Sequence, residues 1–384
     1  MSQYKSGIIT VLFSLFVFLA CKKDESANPT DDPVATALNL PATAYNYANP
    51  TLPAYLTTPP VAGQINTPAG NPISDNGATL GRVLFYDKSL SINNTISCAS
   101  CHKQTNAFSD TVAKSIGFNG GLTGRNSMSI VNAMYYPNGR FFWDQRAATL
   151  EDQVLIPIQD LVEMGMTLPA LETKLKTLAY YPPLFQKAFG DNSITSDRIS
   201  KALSQFTRSI VSYRSKYDAG RSAFPPGPLA PNTNFSNFSQ QENRGMQIFM
   251  TPQGGCVPCH GTETFTAPQE KNNGLDLTTT DRGFGAVVNN TALDGTFKVT
   301  TLRNVELTPP YMHDGRFATL EQVVEHYSSG VKNHPNLSAQ LKLPNGQPRL
   351  ANLTPQDKAA LVSFLKTLTD NTIATETKFS NPFK

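Results

Sequence analysis

Cys98-Ala99-Ser100-Cys101-His102 and Cys256-Val257-Pro258-Cys259-His260 decide how this chain is read. In a C-x-x-C-H stretch two thiols lie within one turn of chain and can add to the vinyl groups of a haem as thioethers. The adjacent imidazole is thereby placed to ligate the iron. A structural zinc site would bring its Cys pairs closer in sequence, and a redox disulfide gives no reason for a histidine after each pair. The motifs predict two covalently bound haems c: Cys98, Cys101 and His102 hold one, and Cys256, Cys259 and His260 hold the other.

Working outward, the flanks repeat. Leu80-Gly81-Arg82-Val83-Leu84-Phe85 precedes the first motif and Arg244-Gly245-Met246-Gln247-Ile248-Phe249 the second, each with Gly and Phe four apart on an expected helix. Asp144-Gln145-Arg146-Ala147-Ala148-Thr149-Leu150-Glu151 follows the first, and Asp314-Gly315-Arg316-Phe317-Ala318-Thr319-Leu320-Glu321 the second. Helix-period apolar sets close each half: Ile199, Leu203, Phe206 and Ile210, then Leu361, Phe364, Leu365 and Leu368. Thr354-Pro355 supplies a cap and a first-position proline to the latter. The expected fold is mainly α, with two cytochrome c-like haem domains related by internal duplication and carrying long loops. They span 61–223 and 240–384, with 224–239 as a Pro/Asn/Ser-rich linker.

A length of 384 residues allows two cores able to enclose large apolar cofactors. The net charge of +3 is spread without basic runs, so no nucleic-acid partner is expected. At the amino terminus, the apolar run Ile8–Ala20 is too short to span a bilayer comfortably and suits a secretory signal. Phe18-Leu19-Ala20-Cys21 resembles a lipobox, so residues 1–20 are expected to be a signal peptide and Cys21 a lipidated membrane anchor. The alternative is an ordinary signal with an incidental cysteine. Lys22-Lys23-Asp24-Glu25 resembles segments that send some bacterial lipoproteins to the cell surface. The Pro-, Ala-, Thr- and Asn-rich stretch up to residue 60 reads as a flexible tether, so 21–60 is assigned to it. The expected location is the periplasm, on a membrane and most simply the outer one.

Further blocks carry a family resemblance: Gly124-Arg125-Asn126-Ser127, Phe142-Trp143-Asp144, Leu161-Val162-Glu163-Met164, and Thr301-Leu302-Arg303-Asn304-Val305 through His313-Asp314-Gly315. In these the chain resembles the bacterial di-haem cytochrome c peroxidases and the related methylamine-utilisation enzyme MauG. The resemblance implies a peroxide-reacting haem in the first domain and an electron-accepting haem in the second. It also implies hydrogen peroxide as a reactant, a small cytochrome or other periplasmic electron donor, and frequent dimers.

In many relatives a histidine after the first motif blocks the distal face of that haem. Alignment on Ser115-Ile116-Gly117 puts Phe118 there, and no histidine lies between His102 and His260. A first haem that is five-coordinate or water-bound, ready without reduction, is expected. A sixth ligand from Met128 or Met134 is the alternative. Resemblance makes Glu163 the proton-moving carboxylate, with Gln153 and Pro157 lining the distal pocket, and Trp143 the bridge between haems. Gln145 replaces a glycine common in its block, so a different local turn is expected.

For the second haem, the place that holds Met in peroxidases of the family falls on Tyr327, as in MauG. His326 is the neighbouring alternative, and Met312 or His313 are others. Asn126 matches a family residue that offers its side chain to Ca²⁺, with the carbonyls of Thr308 and Pro310 as partners. Three functions stay open. They are a peroxidase fed by a cytochrome, a MauG-like oxidase that uses peroxide-derived high-valent iron on a protein or small organic molecule, and a di-haem electron carrier.

Overall fold

The computed structural model describes residues 1, 3 and 32–384, so the signal segment, Cys21 and the first part of the expected tether lie outside the described residues. Among the described residues the regular structure is helical, and only isolated β-bridges occur. None of their helices is long and apolar enough to cross a membrane.

Seven helices frame the two halves: α1 (Asp75–Tyr86), α2 (Leu168–Thr177), α3 (Tyr181–Phe189), α4 (Ser196–Ser209), α5 (Gln240–Met250), α6 (Leu320–Glu325) and α7 (Pro355–Lys366). Their starts are written in side chains that satisfy free amides of the first turn. Ser74 accepts from Gly77 N at the head of α1, and Thr195 from Arg198 N at the head of α4. Ser239 and Glu242 form a reciprocal capping box on α5, and Thr354 caps α7 ahead of Pro355.

Each half is built on one close helix crossing. In the first, α1 lies on α4 at Gly81, where an added Cβ would stand 2.0 Å from Ala202 O and 2.7 Å from Phe206 Cβ. In the second, α5 lies on α7 at Gly245, where the corresponding distances are 1.9 Å to Ala360 O and 2.8 Å to Phe364 Cβ. Only a residue without a side chain lets the backbones meet so closely. The expected apolar sets fill both contacts: Ile199, Leu203, Phe206 and Ile210 are buried, as are Leu361, Phe364, Leu365 and Leu368.

The domain limits differ from those expected. Pro33–Ala37 forms a helical turn capped by Asp32, and Val34, Leu38 and Tyr47 are buried in the first core. Tyr55 and Leu56 are buried a little further on. Residues 32–60 are therefore already part of the folded body, and that stretch is not a tether. The linker reading of 224–239 fails for the same reason. Phe235 and Phe238 are buried in the second core, Phe224 packs on it, and so does Tyr217 from before the expected boundary. The tail of the chain also crosses back, since Ile373 and Phe379 belong to the first core. A buried junction ties these segments together. Tyr55 Oη donates to Asp218 Oδ1 at 2.7 Å, and Arg303 Nη1 donates to the same carboxylate at 2.9 Å.

Gly81→Ala and Gly245→Ala would each gain about 1 kcal/mol of helix propensity in an open helix. Here each is expected to lower stability by about 1–3 kcal/mol through overpacking of the crossing. Thermal unfolding of the two variants measures this, and unchanged melting would show that the helices part without cost.

Candidate active site: two cysteine-walled cavities and the ground between them

Among the described residues each half holds a cavity walled by its motif. The first, about 440 Å³, has Cys98, Cys101 and His102 in its wall; the second, about 210 Å³, has Cys256, Cys259 and His260. In both motifs the histidine amide closes a helical turn on the first cysteine, His102 N to Cys98 O and His260 N to Cys256 O, each at 2.9 Å.

The imidazoles are aimed by a second bond. His102 Nδ1 lies 3.0 Å from Phe108 O, and His260 Nδ1 lies 2.7 Å from Phe265 O. A carbonyl can only accept, so Nδ1 carries the proton and Nε2 keeps its lone pair for a metal. Burial pushes both rings toward the neutral form, His260 down to about 4. Phe108 and Phe265 turn their carbonyls inward from left-handed backbone, at φ 57° and 52°. A cysteine pair, a neutral histidine with a fixed tautomer and an apolar cavity fit a covalently bound haem in each half.

The first cavity is also lined by Gln153, Pro157, Asp160, Val162 and Glu163, together with Arg125, Arg146, Asn126 and Met128. Met134 packs elsewhere, beside the cluster of Tyr55 and Leu56. Glu163 sits on a tight loop. Asp160 Oδ1 accepts from the amides of Val162 and Glu163 at 2.8 and 3.0 Å, and Phe118 N donates to Glu163 O at 3.0 Å. Gly117 passes so close to Val162 O that a Cβ would stand 1.7 Å away. Phe118 itself packs against Gly165. Burial raises the Glu163 carboxyl to about 7; the neighbouring Asp160 charge adds to the rise and Arg146 opposes it.

Trp143 lines both cavities. Its Nε1 donates to Asn126 O at 2.8 Å, while its own carbonyl accepts from Lys298 N at 2.8 Å. His313 stands edge-on to the indole, stacks on Phe297 at 3.8 Å between ring centroids, and accepts at its carbonyl from Asn126 N. Arg125 binds Asp144 at 2.6 Å and, across the boundary, Asp281 at 2.7 Å. The different turn expected at Gln145 is not found: its φ of 54° is left-handed, like the 71° at Gly315 in the second half, despite the missing glycine. Gly315 has no room for a side chain, since a Cβ would stand 2.6 Å from Ala113, whereas the Gln145 side chain finds Asn138 Nδ2 at 2.7 Å. Strain is therefore tolerated in one half and space is the stricter limit in the other.

In the second cavity Tyr327 and Met312 are in the wall. Asn273 Nδ2 approaches Tyr327 Oη at 3.4 Å and Met312 Sδ at 3.5 Å. Burial pushes the Tyr327 phenol up to about 12, with the Asn273 contact acting the other way. His326, the alternative ligand, turns from the cavity and bonds through Nε2 to Asn273 O at 3.0 Å. Both neighbours lie on a widened, π-type turn over His326–Gly330. Asn126 is buried at the domain boundary with its amide nitrogen donating to Val112 O at 3.2 Å. Sequence reasoning gave no role to Arg146, which it met only as part of a repeated flank, or to Lys298; their places in the cavity walls are revealed only by folding.

These two sites define a helical protein with two c-type haem sites. A sequence model described as di-haem cytochrome c peroxidase matches residues 75–222. MauG of Methylophilus methylotrophus is 31% identical over 307 residues, which cover 79% of this chain and 85% of that protein. Cytochrome c551 peroxidase of Nitrosomonas europaea is 35% identical over 261 residues, covering 67% and 74%. The crystal structure of a MauG-like protein associated with microbial copper homeostasis aligns with a TM-score of 0.73 at 31% identity, over 88% of this chain and 99% of that one. The chain belongs to the di-haem cytochrome c peroxidase and MauG family: it is a haem-dependent oxidoreductase with two haems c.

Proposed function

We propose that this chain is a peroxidase that reduces hydrogen peroxide to water with electrons from a small cytochrome c or a similar donor. Bound haem supplies the iron at which the O–O bond breaks and the centre at which each electron is received. The observation that carries the reading is Glu163, a carboxyl raised to about 7 in the wall of the larger cavity. Near neutral pH such a group can take the proton from the inner peroxide oxygen and return it to the outer one as water leaves. Gln153 and Pro157 shape the same wall. Phe118, which resemblance aligns with a blocking histidine of many relatives, carries no group that could ligate iron, and its ring packs against Gly165. Trp143, common to both cavities, is the group through which electrons cross from the second site to the first.

A second reading is a MauG-like oxidase that turns peroxide on a protein or small organic molecule. It is favoured by Tyr327 in the wall of the second cavity and by the likeness to MauG. Sustained peroxide consumption with reduced cytochrome c supports the first reading, whereas consumption that needs an organic reductant supports the second. A Ca²⁺ ion on Asn126 Oδ1 and the carbonyls of Thr308 and Pro310 belongs to either; chelation should lower the melting temperature of wild type but not of Asn126→Ala.

Glu163→Gln is expected to slow peroxide cleavage by about 10²–10⁴-fold. In wild type the rate should climb as pH rises through about 7, where Glu163 loses its proton, and the variant should lose that step. The same shift makes the fold less stable as pH rises from 4.5 to about 7, because the folded state keeps a proton that the unfolded chain releases. Stopped-flow mixing across pH checks the rate, and an unaltered profile in the variant removes Glu163 from the mechanism. Tyr327→Phe should change the absorption spectrum of the second haem alone, and His326→Gln should change neither.

A further inference from the structure

Lys298 has no part in the chemistry above, yet it stands in the wall of both cavities. It is 4% exposed. Its Nζ donates to Arg140 O at 2.9 Å and lies 3.1 Å from the ring centroid of Tyr136 and 4.4 Å from that of Phe141. Among the described residues no carboxylate pairs with it. Asp281, which shares the wall of the first cavity with it, is bonded to Arg125. One carbonyl and two aromatic faces compensate only part of the cost of burying an ammonium. Desolvation accordingly drives its pKa far down in the protein alone.

The cation is also firmly placed. Its backbone amide is bonded to Trp143 O, and the Tyr136 hydroxyl below it donates to Val299 O, so both the lysine and its aromatic platform are anchored. The anion it lacks is one that each cavity receives with its cofactor, since haem carries propionate carboxylates. Other cations line one cavity only, Arg125 and Arg146 the first and Lys271 the second.

We propose that Lys298 is a counter-cation shared by the two haem sites, its ammonium bonded to a haem propionate and its charge felt at both irons. The inference rests on the two-haem assignment and not on which oxidative reaction the enzyme performs. A fixed positive charge disfavours the more positive ferric state, so Lys298 holds both reduction potentials up.

The test is redox titration of the di-haem protein with each haem followed by its own absorption bands. Lys298→Met keeps length and burial but removes the charge, and both midpoints should shift downward. Lys298→Arg keeps the charge, and both should stay near wild type. Resonance Raman spectra should show the propionate bending bands displaced in the Met variant. Unmoved midpoints, or a shift at one haem alone, overturn the proposal. Should Lys298→Met yield no loaded protein, Lys298→Arg carries the test through the same bands, which must move with the change of donor; bands identical to wild type overturn it.

Discussion

Everything at the two sites depends on one hydrogen bond in each half, from the histidine Nδ1 to the carbonyl of a phenylalanine a few residues on. That bond selects the tautomer, aims Nε2 into the cavity and stops the ring from turning about its own axis. It exists because each phenylalanine is locked in a core. Phe108 meets Phe85 and Phe379, and Phe265 meets Tyr217, Phe249 and Phe364. Those cores close only because α1 and α5 reach their partner helices through Gly81 and Gly245. A helix crossing remote from the iron is thus part of how the iron's ligand is held.

On this shared frame the halves diverge in what surrounds the cofactor. The first cavity is the larger and contains a carboxyl poised near neutrality; the second is tighter, with Tyr327 and Met312 drawn together by Asn273. Room and a proton acceptor suit a site where a small molecule reacts. A closely walled site with few polar groups suits one that only changes its electron count. Between them Trp143 is bonded at both its indole nitrogen and its carbonyl, so the ground that separates the two sites is rigid.

Much of this was legible in the sequence. The C-x-x-C-H motifs pointed to the two cavities whose walls contain them, the helix period located α4 and α7, and the repeated Gly-Phe spacing marked both close crossings. What was missed follows a physical pattern. Composition made residues 32–60 and 224–239 look like loose chain, but a few aromatic and aliphatic side chains, Tyr47, Tyr55, Leu56, Phe235 and Phe238, suffice to dock segments with no regular structure. Counting along a helix could not foresee that His326 and Tyr327 lie on a π-type turn. Nor does sequence reveal whether a left-handed position is limited by torsion, as at Gln145, or by space, as at Gly315.

The crossing of the tail back to the first half bears on how the molecule comes to be. Ile373 and Phe379 complete a core whose other members lie far upstream, and Tyr86 Oη donates to Phe379 O at 2.7 Å. A chain made from its amino terminus therefore presents its first haem-binding motif while that core still lacks a wall. Such long-range closure is slow compared with local helix formation. The first half, although it holds its own cavity and motif, is therefore not an independent unit of folding: its core can be completed only by residues made after nearly all of the second half.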